Sequence, residues 1–302
     1  MICAAGAHVP VAVAGAADAL RVKRMVFRTE FGIRSRAFRE LGPAARGAFG
    51  AALRESTCLT GAPSCQGCAV AAQCVYTTVF RPENLAALLP STGLPAAPRY
   101  ALQLSGLQVL GKAAEYQPAF SITLIGCARN HTAECEAALC SVRLWGRCEP
   151  VRSLEHAWAP AADGDGDATS ETPIRVDLLS PLQLDRRAIF PARFDAVDLV
   201  RKLALRIRQK ARFEGIELAS FDFAQMANEV RLMRASIVPA RGRAADVRGI
   251  DLRGLTGSLD LAMTTRWARV LQFGQYLNAG RHTSYGAGEF AVHQMDARQG
   301  GA

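Results

Sequence analysis

The sequence predicts an α+β chain of two ferredoxin-like domains in tandem, and three observations lead there. Each half reads as strand, helix, strands, helix, strand. An acidic, polar run from Ala159 to Pro173 (APAADGDGDATSETP) separates the halves as a linker or a long surface loop. The 302 residues suffice for two modest cores, and 50% of them are hydrophobic, which excludes a disordered chain. The expected boundaries are 1–160 for the first domain, with a helical, cysteine-containing insertion at about 42–98, and 174–302 for the second.

In the first half, Ala19 to Phe31 alternates loosely through Leu20, Val22, Met25 and Phe27 and reads as a strand. Arg21, Lys23, Arg24 and Arg28, then Arg34, Arg36 and Arg39, are opposed only by Glu30. Such a run either protects an exposed edge or faces phosphate. Leu41 to Glu55 follows as a helix, with Pro43 in its first turn and small residues at 44, 47, 48, 51 and 52 for close packing. Cys58, Cys65, Cys68 and Cys74 then form C-x6-C-x2-C-x5-C. One C-x2-C turn is compatible with a structural zinc on these four, or with buried free thiols; neither is catalytic. Leu102 to Leu110 reads as a strand with a bulge at Gly106. Gly111 to Tyr116 is expected to lead into a helix around Phe120, Ile122, Leu124 and Ile125, and Arg143 to Val151 to form a return strand. Cys127, Cys135, Cys140 and Cys148 lack pair spacing and read as core.

In the second half, Ile174 to Leu184 is a strand interrupted at Pro181. Phe194, Val197, Val200, Leu203, Ile207 and Ala211 mark an amphipathic helix. Asp195 and Asp198 open it, while Arg206, Arg208, Lys210 and Arg212 close it, either to complement its dipole or to present a basic face. Arg231 to Gly254 is a cation-rich connection that includes Arg241, Arg243 and Arg248. Leu259 and Leu261 suggest a strand; Trp267, Val270, Leu271, Gly274 and Leu277 suggest a helix of about four turns. Asn278 and Gly280 would stop that helix. A glycine-rich loop, Gly280, Gly286 and Gly288 around Arg281, His282, Thr283, Ser284 and Tyr285, then leads to a last strand through Phe290 and Val292. Its backbone could approach a phosphate chain closely. It lacks Gly-Lys-Ser/Thr and follows a helix, so it is neither a P-loop nor a dinucleotide fingerprint.

Lys and Arg number 36 against 27 Asp and Glu, a formal charge of +9. That balance favours nucleic acid or an anionic membrane. The longest apolar run, Val9 to Ala17, falls short of the roughly 20 residues a span requires. No Lys or Arg precedes Arg21 to open a secretory signal. Nine cysteines, an odd number with four clustered, fit a reduced cytoplasmic chain.

Gly42, Arg46, Gly47 and Gly50, then Cys65, Cys68, Cys74, Tyr76, Phe80 and Pro82, then Ser180, Pro181, Leu182 and Phe213 to Gly215, and finally Gly280 to Gly288, occur in one order. This order resembles the CRISPR-associated repeat-RNA-processing endoribonucleases of the RAMP superfamily, across most of residues 19–293. The resemblance implies cleavage of a CRISPR repeat transcript beside a hairpin. The ribose 2′-hydroxyl would attack without a metal, leaving a 2′,3′-cyclic phosphate. The mature guide RNA would stay bound, and other effector subunits would be partners. The family commonly uses an early histidine, but here only His8, His131, His156, His282 and His293 occur, none between residues 9 and 130. His131 and His156 read as surface residues. The departure suggests one of the less common CRISPR classes, type IV among them. The catalytic expectation therefore rests on Arg24, Arg39 and Arg243, with His282 in reserve. The RNA-binding expectation rests on Lys23, Arg36, Arg46, Arg241, Arg248, Gly280, Arg281, Ser284, Gly286 and Gly288. Two rivals are a non-catalytic RAMP RNA-binding subunit and a zinc-stabilised nucleic-acid-binding regulator.

Overall fold

The computed structural model describes residues 19–30, 38–85, 97–107, 119–142, 146–158, 171–185, 190–218, 221–240 and 252–295. Arg36, Arg241, Arg243, Arg248 and most of the expected linker lie outside these residues, and Arg39 is described for its helical backbone alone.

The first unit runs β1 (Arg21–Thr29), α1 (Phe38–Thr57), α2 (Val75–Phe80), β2 (Tyr100–Gln103), β3 (Ala119–Ile125), α3 (Thr132–Ser141) and β4 (Cys148–Ala157). The second runs β5 (Glu171–Leu182), α4 (Ala196–Phe213), α5 (Phe223–Glu229), β6 (Val230–Pro239), β7 (Leu255–Thr264), α6 (Thr265–Gly274) and β8 (Phe290–Gln294). The antiparallel sheets are ordered β2-β3-β1-β4 and β6-β7-β5-β8. In both, the last strand lies beside the first and the two middle strands follow on the other side. This is the duplicated ferredoxin-like arrangement that the element order predicts.

Several elements differ from the sequence reading. Phe120, Ile122 and Leu124 lie in β3, not in a helix. Their two-residue period and β-branched content fit a strand buried on both faces. The helix comes later, as α3, where Cys135, Ala138 and Leu139 are buried. Strand β2 stops at Gln103 and a tight turn over Ser105–Leu107 replaces the bulge. Gly106 is needed there because a Cβ would lie 2.3 Å from the Ala119 carbonyl oxygen. The return strand begins at Cys148 and runs to Ala157, and the cation-rich connection begins as a strand, β6, with its exposed arginines on a sheet edge. Cys140, expected in the core, is exposed at the end of α3. Strand β5 continues through Pro181 to Leu182, with a register shift between Leu178 and Leu182 that accommodates the missing N–H. Helix α6 is ten residues long, under three turns.

Each sheet packs one face on its own helices. Met25, Phe27, Phe49, Leu53, Ile122 and Leu139 fill the first core; Val176, Leu203, Leu261, Trp267 and Leu271 fill the second. The other face of the first sheet is partly claimed by the second unit. Leu20, Val22, Ile125 and Trp158 belong to the second core, and the Trp158 ring lies 5.6 Å from Phe273. The halves are thus joined by apolar burial as well as by the chain. No described helix is long and apolar enough to cross a membrane.

Candidate nucleic-acid interface

Helix α4 starts where the Asp195 carboxylate accepts the Val197 N–H at 2.8 Å. Burial of Leu199, Val200, Leu203, Ala204, Ile207 and Ala211 fixes its rotation. Lys202, Arg206 and Lys210, spaced four apart, then share one stripe beside the glycine loop. The Arg206 guanidinium donates to the carbonyls of Asn278 (2.9 Å) and Leu277 (3.3 Å) and to that of Gly280. Burial lowers its pKa to about 10, so it stays charged at neutral pH. Lys210 donates to the carbonyls of Pro98 (2.7 Å) and Ala97 (3.3 Å). Burial, followed by the nearby cations Arg206 and Arg99, lowers it to about 7, with Glu214 acting against them.

A buried ion pair completes this seam. Arg99, just before β2, meets Glu214, just after α4, at 3.0 Å. The second Glu214 oxygen accepts the Cys127 N–H at 2.6 Å. Charge-assisted bonds of this kind offset the cost of burying both ions.

The glycine loop is held as tightly. Asn278 adopts a left-handed conformation (φ 55°), and its amide donates to the Leu102 carbonyl of β2 at 2.7 Å. Buried Glu289 accepts from the N–H groups of Leu104 and Ser105, both at 2.9 Å, and from the Ser105 hydroxyl at 2.7 Å. Gly280 and Gly288, expected to approach RNA, instead accommodate the protein's own backbone. Their Cβ atoms would lie 2.3 Å from the Gln183 oxygen and 1.8 Å from the Ala279 oxygen. Gly286, also left-handed, closes the turn Thr283–Tyr285 and is buried.

What remains for a ligand is the tip, Arg281 to Tyr285, which is partly exposed. It lines two clefts against α4. One, of about 300 Å³, lies between Lys202, Leu205 and Arg206 and the loop residues Gly280 and Arg281. The other, of about 250 Å³, has Pro98, Tyr100 and Lys210 opposite His282, Thr283 and Ser284. The structure therefore brings Arg281, His282 and Ser284 together along a basic groove. Sequence reasoning left out Lys202, Gln209 and the pairing of the α4 stripe with this loop, although the 202/206/210 spacing was a legible signal.

The other expected residues lie elsewhere. Arg46 sits over the rings of Phe80 (4.4 Å) and Tyr285 (4.7 Å) and donates to the Tyr100 hydroxyl. It ties α1 to the loop, helped by Gly42, whose Cβ would meet the Tyr285 oxygen at 2.1 Å. Lys23 lies 4.0 Å from Glu155. Arg24 is on β1, its Nε donating to Ser121 Oγ at 3.0 Å, and it belongs to a different cluster from His282. Burial lowers its pKa.

The four clustered cysteines do not converge. Cys74 is buried with Tyr76 and Phe80 in the first core, whereas Cys58, Cys65 and Cys68 are half-exposed. The Thr60 hydroxyl lies 3.9 Å from Cys58 Sγ and 3.8 Å from Cys68 Sγ. Among the described residues no group of three or more ligand-type side chains is placed to hold a metal. Of the two alternatives, zinc ligand or buried thiol, Cys74 has the surroundings of the second, packed at the start of α2.

Family models account for both halves. One described as an N-terminal domain matches residues 20–148, and one described as CRISPR-associated endoribonuclease Cas6 matches residues 176–290. No curated protein matches the chain. Among solved structures, Thermus thermophilus Cas6 is 12% identical, covering 92% of this chain and 100% of its own, with a TM-score of 0.47. A chain from a partial Cas6-RT-Cas1–Cas2 complex is 9% identical, covering 92% of this chain and 47% of its own, with a TM-score of 0.49. The product of a Cas6-related gene from Pyrococcus furiosus is 12% identical, covering 92% and 99%, with a TM-score of 0.38. Two ferredoxin-like units stand in tandem, and the second, over residues 176–290 with the glycine loop inside that stretch, is similar to the CRISPR-associated endoribonuclease Cas6 family.

Proposed function

We propose that the protein processes CRISPR repeat transcripts, binding the repeat hairpin and cutting beside it, then retaining the mature guide RNA. Other subunits of an effector complex are its further partners in this reading. The observation that carries it is the basic groove: Lys202, Arg206 and Lys210 on α4 face the partly exposed tip Arg281 to Tyr285 across two clefts. In this reading Arg281, His282 and Ser284 contact a phosphate backbone and fix its register, while Arg206 and Lys210, whose N–H groups go to protein carbonyls, add positive charge behind them.

The reaction is an internal transesterification. The 2′-oxygen forms a bond to phosphorus, the bond from phosphorus to the 5′-oxygen breaks, and the 2′-proton leaves while the 5′-oxygen gains one. The nucleophile belongs to the substrate, so no metal-bound water is required. The protein's task is in-line positioning and stabilisation of charge on the phosphorane. Arg24, the one catalytic candidate on the first sheet whose side chain is described, supplies a guanidinium for the second task.

The test is to incubate the protein with its own locus's repeat RNA in EDTA, beside an RNA carrying a 2′-deoxy nucleotide at the cut. A single cut, absent from the deoxy RNA and ending in a cyclic phosphate, is expected. Tight binding without cutting overturns the nuclease reading and leaves a non-catalytic RNA-binding subunit, to which the missing early histidine points.

A further inference from the structure

The face of the first sheet that the second unit partly covers carries, toward its β4 edge, side chains that neither folding nor the α4 groove accounts for. Arg24 on β1 pairs with Leu154 on β4, while Val22 pairs with His156 and Val26 with Arg152. Arg24 is therefore flanked diagonally, on one face, by Arg152 and His156, with Cβ separations of about 7 Å. Arg152 is exposed and Leu154 is 41% exposed, so this end of the face is open. At the other end Tyr276, from the turn after α6, stacks on the His156 ring with centroids 4.0 Å apart and planes 16° apart.

Two details fix the chemistry. Arg24 is aimed by a relay: its Nε donates to Ser121 Oγ (3.0 Å), that hydroxyl to Gln103 (2.6 Å), and the Gln103 amide to the Gln275 carbonyl (2.7 Å). The Arg24 side chain is partly exposed. His156 Nε2 is sealed and has no partner, so Nδ1 is the nitrogen a ligand can reach. Protonating this ring would bury an unsatisfied N–H and add a cation beside Arg24. Burial, then Arg24, accordingly lower its pKa. The neutral ring avoids an orphaned N–H when the proton sits on Nδ1, which makes His156 a donor at its open nitrogen. The charged and titratable groups around it are Arg24 and Arg152 on the sheet, Tyr276 from the second unit, and Glu289, which acts on Arg24. Glu155 is on the other face, 3.6 Å from Arg129 and 4.0 Å from Lys23.

We infer that Arg24, Arg152 and His156 form a seat for one phosphodiester of single-stranded RNA, in which His156 works as a neutral hydrogen-bond donor and not as an acid or base. This deepens the RNA-processing reading and rests on it: α4 and the glycine loop hold the stem, and this face takes the strand leaving it. Tyr276 is a positioning residue that holds the imidazole flat.

The experiment measures binding of a short mixed-sequence single-stranded RNA at several salt concentrations, and repeat cleavage across pH 5.5 to 8, for the full chain. Arg152→Ala, His156→Ala and His156→Gln are compared with Arg147→Ala, whose arginine pairs with Glu149 at an exposed site. Thermal melting checks that each variant is folded. Arg152→Ala should weaken binding about tenfold and reduce the salt slope by about one, with Arg147→Ala unchanged. His156→Ala should lose about tenfold in binding and cutting; His156→Gln, which keeps a donor, should stay within about threefold of wild type, with no histidine limb in the pH profile. If Arg152→Ala and His156→Ala both match Arg147→Ala, there is no seat. If His156→Gln is as impaired as His156→Ala and the wild-type profile has an acid limb that both variants lose, His156 transfers protons and the inference fails. A wild-type chain that binds RNA without cutting sinks the nuclease reading alone, since the binding arm still reads the seat.

Discussion

Replacing Arg206 by methionine should loosen the glycine loop without disturbing the helix that carries it. The guanidinium serves three carbonyls, those of Leu277, Asn278 and Gly280. The bond to Leu277 is long at 3.3 Å, so two good ones count. Hydrogen bonds from a charged donor contribute about 1.5 kcal/mol each at the low end, and methionine keeps the packing of the stem, so the expected loss is about 3 kcal/mol. Arg206→Lys, with a single ammonium at the end of a flexible chain, reaches one carbonyl and should recover less than half. The assay is denaturant unfolding of the three proteins, in which the midpoint should fall while the slope stays constant. Repeat-RNA affinity should fall as well, because Arg281 to Ser284 are mounted on the turn that Arg206 pins. A methionine variant within about 0.5 kcal/mol of wild type would show that the carbonyls find water as readily as the guanidinium, and the account of the loop would be wrong.

Three further outcomes follow from the same geometry. Gly288→Ala places a Cβ 1.8 Å from the Ala279 oxygen at φ 68° and should cost at least about 2 kcal/mol in thermal unfolding. Gly47→Ala meets nothing within 4 Å inside α1 and should stabilise by about 0.5–1 kcal/mol; equal effects at both sites would refute the distinction. Glu214→Gln strands the Arg99 charge, its partner in a pair whose side chains are 6% and 10% exposed, and should cost about 3–5 kcal/mol; a near-neutral result would mean that water reaches the seam. Lys210 is held at about 7 against 10.5, so the unfolded chain binds more protons between those values. Stability should therefore rise with pH from about 7 toward 9, above which the raised thiols of Cys135 and Cys148 act in the opposite sense. Lys210→Met should flatten the rise, and an unchanged pH profile in that variant would remove Lys210 as its source.

Much of the fold was legible because periodic burial leaves a periodic record. The α4 stripe, the β7–α6–loop–β8 order and the duplicated plan all appear in the chain as spacing. The failures have physical causes as well. Strand β3 does alternate, Phe120, Ile122 and Leu124 against Ser121 and Thr123, but over only seven residues, and the adjoining Ile125 blurs so short a two-residue period. Strand β6 lies on an edge with both faces exposed, so its arginines looked like a connection.

The sequence by itself determined two units, a basic character and a glycine loop rich in groups that can bind phosphate, because these follow from composition and local spacing. Only the tertiary structure decided how those glycines are used: Gly280 and Gly288 make room for Gln183 and Ala279, and five tip residues are left for a ligand. It also set His156, from the end of one sheet, against Tyr276, from a turn 120 residues later, beside Arg24. Such a meeting depends on strand register and on how the two units pack. No local pattern encodes either, because the forces that fix them act between residues far apart in the chain.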